Sequence, residues 1–107
     1  MQGNSKTYDA IIVGGGVVGM SIAYHLVHQK VDTLLFDRKD QGRATNAGAG
    51  ILSPETSGSD SEVWVNLAIK AGNYYPKLID QLNAQQDTST GYARCGILTV
   101  AIDDDEI

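Results

Sequence analysis

Tyr8-Asp9-Ala10-Ile11-Ile12-Val13-Gly14-Gly15-Gly16-Val17-Val18-Gly19 is the stretch on which the fold of this chain turns. From Ala10 it is a short, unbroken apolar run that stops at three glycines. A run of that length, bounded by glycine, suits a strand buried on both faces, as in a parallel sheet. Residues 17–30 carry Val18, Ile22 and Leu26 at i, i+4 and i+8, with Ala23 and Val27 beside them. That makes one apolar stripe, so the span is expected to be a helix lying on the sheet. A second apolar run, Thr33-Leu34-Leu35-Phe36, ends at Asp37. Strand, helix and strand in this order make a βαβ unit, the start of a Rossmann-like α/β fold.

Gly14-x-Gly16-x-x-Gly19 joins the first strand to the helix, and Asp37 follows eighteen positions after Gly19. The three glycines are weak as a bare pattern, but strand, turn, helix and acid together are the dinucleotide-binding arrangement. Gly14 permits the tight turn, Gly16 lets a pyrophosphate reach the backbone, and Gly19 lets helix and strand pack closely. The helix N-terminus offers unbonded N–H groups and about half a positive charge to phosphates. Asp37 can accept from ribose hydroxyls and would repel a 2′-phosphate, although Arg38 and Lys39 soften that discrimination. The bland alternative is a glycine-rich turn with Asp37 as an ordinary solvated acid. The loop alone does not separate FAD from NAD, since both contain an ADP half.

Outward from this unit, residues 38–58 are small and polar: Gly42, Ala44, Thr45, Asn46, Ala47, Gly48, Ala49, Gly50, then Pro54. This is either a flexible linker or a close-packed segment that brings backbone to a ligand. Residues 59–83 are expected to be helical, with Ser59 and Glu62 as a capping box and Trp64, Leu67, Ala71, Leu78 and Leu82 as the apolar stripe. Pro76 predicts a kink or restart near Tyr75. A polar loop covers 85–90, and 92–101 reads as strand, interrupted at Cys95-Gly96. Asp103 and Glu106 look like a helix start, and a helix of so few residues is unstable alone. The chain therefore reads as cut rather than finished.

Composition narrows the class. The 107 residues are enough for one domain with a modest core. Eight Lys and Arg against thirteen Asp and Glu leave a net charge of -5, which builds no basic stripe for a nucleic-acid backbone. No apolar run approaches the roughly 20 residues of a membrane span, and the polar start, residues 1–6, is unlike a secretory signal. The lone cysteine, Cys95, fits a reducing compartment, so a cytoplasmic location is expected.

At this point the glycine turn and the acid-ended second strand resemble those of FAD-dependent amine and amino-acid oxidoreductases. Within these, the chain is similar to the D-amino-acid oxidase superfamily, nearest its glycine oxidase and sarcosine oxidase branch. Two further stretches carry the resemblance: Gly42-Arg43-Ala44-Thr45-Asn46-Ala47-Gly48-Ala49-Gly50-Ile51-Leu52 and Arg94-Cys95-Gly96-Ile97-Leu98-Thr99-Val100. The resemblance implies FAD as cofactor, with Gly14, Gly15, Gly16, Val17, Val18 and Gly19 around the pyrophosphate. It places Asp37 on the adenosine ribose, Arg38 beside the adenine, and Arg43, Ala44 and Thr45 at the phosphates or ribityl chain. Ala49, Gly50 and Ile51 would lie against the isoalloxazine. The implied reaction passes a hydride equivalent from an amino acid or secondary amine to the flavin, giving an imine that hydrolyses. Family members more often carry Glu where this chain has Asp37, and they are several times longer. The substrate-clamping residues lie in the later sequence, so no catalytic residue is assigned here. Residues 1–107 are expected to be the N-terminal part of a FAD-binding domain, with 91–107 beginning a substrate-domain segment. The partner implied is a small amine or amino acid, and self-association into a homo-oligomer is compatible with the sequence.

Other readings stay open at this stage. The chain is also consistent with a non-catalytic nucleotide-binding subunit of a split enzyme, or with part of an NAD-dependent dehydrogenase. Arg43 could be a surface arginine, and 49–51 a plain packed turn. His25 and His28, three apart, are expected to be surface or packing residues rather than metal ligands. Cys95 is expected to be small and buried, and Trp64, Tyr74 and Tyr75 to belong to the core.

Overall fold

A computed structural model describes residues 6–56, 58, 61–98 and 100–102. The chain divides into two compact units, Met1–Gly50 and Ile51–Ile107. The first contains strand β1 (Ala10–Val13), helix α1 (Val17–His28), strand β2 (Thr33–Phe36) and the single-turn helix α2 (Ala44–Ala47). The second contains a 3₁₀ turn (Pro54–Thr56) and helix α3 (Glu62–Asn83).

β1 and β2 pair in parallel, in the register Ala10↔Thr33 to Val13↔Phe36. The pairing continues past both strand ends. The Asp9 N–H donates to the Asp32 carbonyl at 2.9 Å, and the Gly14 N–H donates to the Phe36 carbonyl at 2.7 Å. The Asp32 N–H also donates to Asp9 Oδ2 at 3.2 Å. Both strands and the helix between them occur where the hydrophobic pattern places them, but the strands are not buried on both faces: Ile11 is 63% exposed, Val13 86% and Phe36 54%, because the described sheet has two strands and one of its faces is uncovered.

α1 stops at His28, two residues short of the expected end. Lys30 adopts φ 61°, the left-handed region. Its N–H donates to the Val27 carbonyl at 2.9 Å, and the Val31 N–H donates to Leu26 at 3.0 Å. This is a Schellman ending with lysine in the place usually taken by glycine, so its composition does not announce it. The face of α1 that is partly covered carries Gly19, Ala23 and Leu26; Val18 is 70% exposed and Ile22 47%. The expected stripe is therefore only half right, because a two-stranded sheet covers a narrower face than a full one. His25 Nδ1 lies 2.6 Å from the Ser21 carbonyl, and both histidine rings pack on Tyr24.

In the second unit, α3 starts one residue after Ser61, whose Oγ accepts from the Trp64 N–H at 3.4 Å. Ser61 is thus the cap; the expected cap, Ser59, lies outside the described residues. Pro76 neither ends nor restarts the helix. Val65, Ala68, Gly72, Tyr75 and Ile79 are half-buried, so the stripe is turned from the expected one in the first half of the helix, while the expected Leu78 and Leu82 are half-buried as well. Trp64 and Leu67 are exposed, and so is Tyr74. What covers α3 decides this: Gly72 faces Pro54, and Tyr75 stacks on Tyr92 with ring centroids 6.2 Å apart.

The strand expected over 92–101 is absent among the described residues, and Cys95 is exposed rather than buried. A strand needs a hydrogen-bonded neighbour, and the only sheet described is β1–β2. The 103–106 helix start lies outside the described residues. No described helix is long and apolar enough to cross a membrane.

Candidate functional site: the glycine turn and its lid

The turn between β1 and α1 is built on two glycines that nothing else would fit. Gly14 holds φ 109°, a conformation that L residues rarely adopt. A Cβ on Gly19 would land on the Gly14 carbonyl oxygen and would also touch Ile12 Cγ2 at 3.4 Å. The expected roles of both glycines, tight turn and close packing, therefore have a steric basis. Gly16 is the N-cap of α1, with extended backbone and no side-chain cap of its own.

Two groups from further along the chain close over this turn. The Val17 N–H donates to Thr45 Oγ1 at 2.9 Å, across 28 residues. A helix N-terminus leaves its first N–H groups without intrahelical partners, so the Thr45 hydroxyl satisfies one of them from outside. A Cβ on Gly16 would sit 3.1 Å from the same oxygen. Gly15, for which the sequence suggests no separate task, makes room for Asp37, since a Cβ there would lie 2.8 Å from Asp37 Oδ2.

Asp37 follows β2 directly, with its side chain 23% exposed. Arg43 Nη2 donates to Asp37 Oδ2 at 2.5 Å, and Arg43 Nε donates to the Asp40 carbonyl at 3.2 Å. Partial desolvation would raise the Asp37 carboxyl. The backbone N–H groups of Lys39 and Gly15, with the charge and hydrogen bond of Arg43, outweigh it and hold the group below its usual range. Arg38 points elsewhere: its Nη2 is 2.7 Å from Asp40 Oδ2, with the arginine side chain 88% exposed.

These parts enclose a cleft of about 770 Å³, lined by Val13 to Gly16, Phe36 to Arg38, and Asp40 to Thr45. Of the candidate residues, the cleft gathers Gly14, Gly15, Gly16, Asp37, Arg38, Arg43, Ala44 and Thr45. Val17, Val18 and Gly19 form the first turn of α1 behind it. Ala49 and Gly50 do not line the cleft, and Ile51 opens the second unit. Asp40 and Gln41 line it unforeseen. The only sequence signal for Asp40 is an acid three residues before Arg43, which is too common a spacing to single out.

A glycine turn on a helix start, with an acid at the end of the neighbouring strand, is a site for a dinucleotide. The model of one family, FAD dependent oxidoreductase, matches residues 9–107. The chain belongs to the FAD dependent oxidoreductase family. Its cofactor is thereby FAD rather than NAD. Among curated relatives, the uncharacterized oxidoreductase YurR of Bacillus subtilis is 41% identical over 98 residues, covering 92% of this chain and 26% of the relative. The glycine oxidase of Bacillus subtilis is 27% identical over 103 residues, covering 95% of this chain and 28% of that protein. The bifunctional protein ThiO/ThiG of Trichormus variabilis is 33% identical over 92 residues, covering 86% and 14%. The chain thus spans about a quarter or less of the length of these relatives.

The residues present fit the cofactor's ADP half. Gly16, the N-cap of α1, borders the cleft with no side chain of its own, and the Asp37 carboxylate, which can accept hydrogen bonds, borders the same cleft at the end of β2.

Proposed function

We propose that this chain is the N-terminal part of the FAD-binding domain of an oxidoreductase acting on an amino acid or a secondary amine of the glycine, sarcosine or D-amino-acid type. One observation carries the reading: the glycine turn, the α1 N-terminus and Asp37 converge on a single cleft. The family match and the glycine oxidase relative support it. In this reading Gly14, Gly15, Gly16, Val17, Val18 and Gly19 present backbone to the pyrophosphate. Asp37 accepts from the adenosine ribose, Arg38 flanks the adenine, and Arg43, Ala44 and Thr45 border the phosphate path. Ala49, Gly50 and Ile51 are the flavin-side contacts. Residues 91–107 begin a substrate-domain segment, and the protein works in the cytoplasm on a small-molecule amine.

Bound FAD would supply the electron acceptor, and the amine would leave as an imine that water hydrolyses. What the chain itself contributes is orientation and electrostatics. The α1 start places partial positive charge at the phosphates, and the Asp37 carboxylate fixes the ribose end.

The visible absorption spectrum of the purified full-length gene product tests this. Two bound-flavin bands that bleach under anaerobic glycine, sarcosine or D-alanine are expected. A colourless protein that stays colourless with added FAD overturns the cofactor reading, and flavin bands indifferent to every amine overturn the substrate class. Gly16→Val should empty the site, since its first carbon already meets Thr45 Oγ1 at 3.1 Å. Flavin content unchanged by that substitution would count against the placement.

A further inference from the structure

An arginine beside a phosphate site is ordinarily read as a charge for the phosphate. Here the guanidinium is already engaged. Nη2 is on the Asp37 carboxylate and Nε is on the Asp40 carbonyl. Both contacts lie within the loop that leaves β2, so Arg43 closes that loop on itself. From Arg43 the chain enters α2 at once: its carbonyl accepts the Asn46 N–H at 3.0 Å and the Ala47 N–H at 3.3 Å. In the turn that follows, Thr45 delivers its hydroxyl to the Val17 N–H at 2.9 Å. A continuous path of contacts therefore runs from Asp37 through Arg43 and α2 to the start of α1.

We propose that Arg43 is a positioning residue of the dinucleotide site: it acts through Asp37, holding the ribose-binding carboxylate and the 38–45 loop in place, and does not itself neutralise a phosphate. The proposal rests on the reading of the cleft as a FAD site. Three observations carry it. The Arg43 side chain is only 29% exposed, because it lies along the loop. Its charge is matched at close range by Asp37, as that of Arg38 is by Asp40. Asp37 is aligned from both sides, by Arg43 and by the backbone of the glycine turn.

Ligands that differ by the phosphates separate this role from direct contact. Flavin-stripped full-length wild type, Arg43→Met, Arg43→Lys, Asp37→Asn and the Asp37→Asn/Arg43→Met double variant are titrated with FAD, ADP and adenosine. If the wild type binds none of them, the FAD reading fails, whatever Arg43 does. Given binding, Arg43→Met should weaken ADP and adenosine by the same factor, about three- to tenfold. The double variant should bind FAD no worse than the weaker single variant, because both substitutions break one unit. Arg43→Lys keeps the charge but cannot bridge Asp37 and Asp40 with one fork, so it should behave like Arg43→Met. Loss of ADP binding with adenosine binding retained overturns the proposal. So does full ADP affinity in Arg43→Lys, or multiplicative losses in the double variant. Arg43→Lys and the ADP-to-adenosine ratio still decide the matter if Arg43→Met does not fold.

Discussion

Two apolar runs in this chain adjoin glycine and read alike as strands, yet among the described residues only one becomes a strand. Ala10–Val13 ends at Gly14; Ile97 and Leu98 follow Gly96. The first pairs residue for residue with Thr33–Phe36 and extends that pairing through Asp9 and Gly14. The second has no ladder among the described residues, and exposure does not separate the two: Ile97 and Leu98 are 60% and 87% exposed, Ile11 and Val13 63% and 86%. β-propensity is a readiness to sit on a pleated, half-buried surface, and it is realised only where a neighbour supplies hydrogen bonds. The neighbour of β1 arrives within the same βαβ unit.

The sharpest way to break this comparison is to place the same substitution at one glycine of each region. Gly19→Ala drives a carbon into the Gly14 carbonyl, inside the paired unit, and should cost about 3 kcal/mol in full-length protein, read from denaturant midpoints. Gly96→Ala meets nothing within 4 Å and should cost only the strain of its φ of 73°, about 1 kcal/mol. Equal costs would mean that 92–98 is as tightly built as the glycine turn. Thr45→Val removes the acceptor of the Val17 N–H and should cost about 1 kcal/mol, the scale of a lost helix cap. A variant as stable as wild type would show that the lid does not cap α1.

Acid sensitivity sharpens the comparison further. The Asp37 carboxyl is held below its ordinary value of 3.8, so its contribution is complete above that value and lost as pH falls through the lowered one. Asp37→Asn should flatten the unfolding curve in that acid range and leave its shape near neutrality unchanged. A wild-type curve that the substitution leaves unaltered would contradict the pairing. The smallest effect should come from Arg38→Ala. Its partner Asp40 and its own guanidinium are both exposed, and such pairs contribute within about 0.5 kcal/mol.

Much of the fold was legible because local pattern and local partner coincide. The run 10–13, the helix after it and the run 33–36 lie in one short stretch, and the glycines leave few other ways to connect them. The glycine turn and the place of Asp37 after β2 were legible for the same reason, since a tight strand-to-helix turn is a local backbone shape. The Asp37–Arg43 pair was not, because residues six apart in a loop have no periodicity to announce that they meet. The first half of the α3 stripe was turned from expectation, while Leu78 and Leu82 lie as expected, because Trp64, Leu67 and Val65, Ala68 offer adjacent apolar lines, and propensity does not choose between them. The choice fell to Pro54 and Tyr92, which cover one side.

The order of amino acids settles where this chain must turn, which runs are apolar, and that a carboxylate follows the second strand, because those properties belong to single residues and near neighbours. Folding in three dimensions settles what those groups meet. It sets Thr45 on the start of α1, turns Arg43 toward Asp37, and leaves 92–98 without a ladder. Each of these depends on a partner distant in sequence or fixed by loop shape, and a hydrogen bond, unlike a propensity, exists only when both its ends are in place.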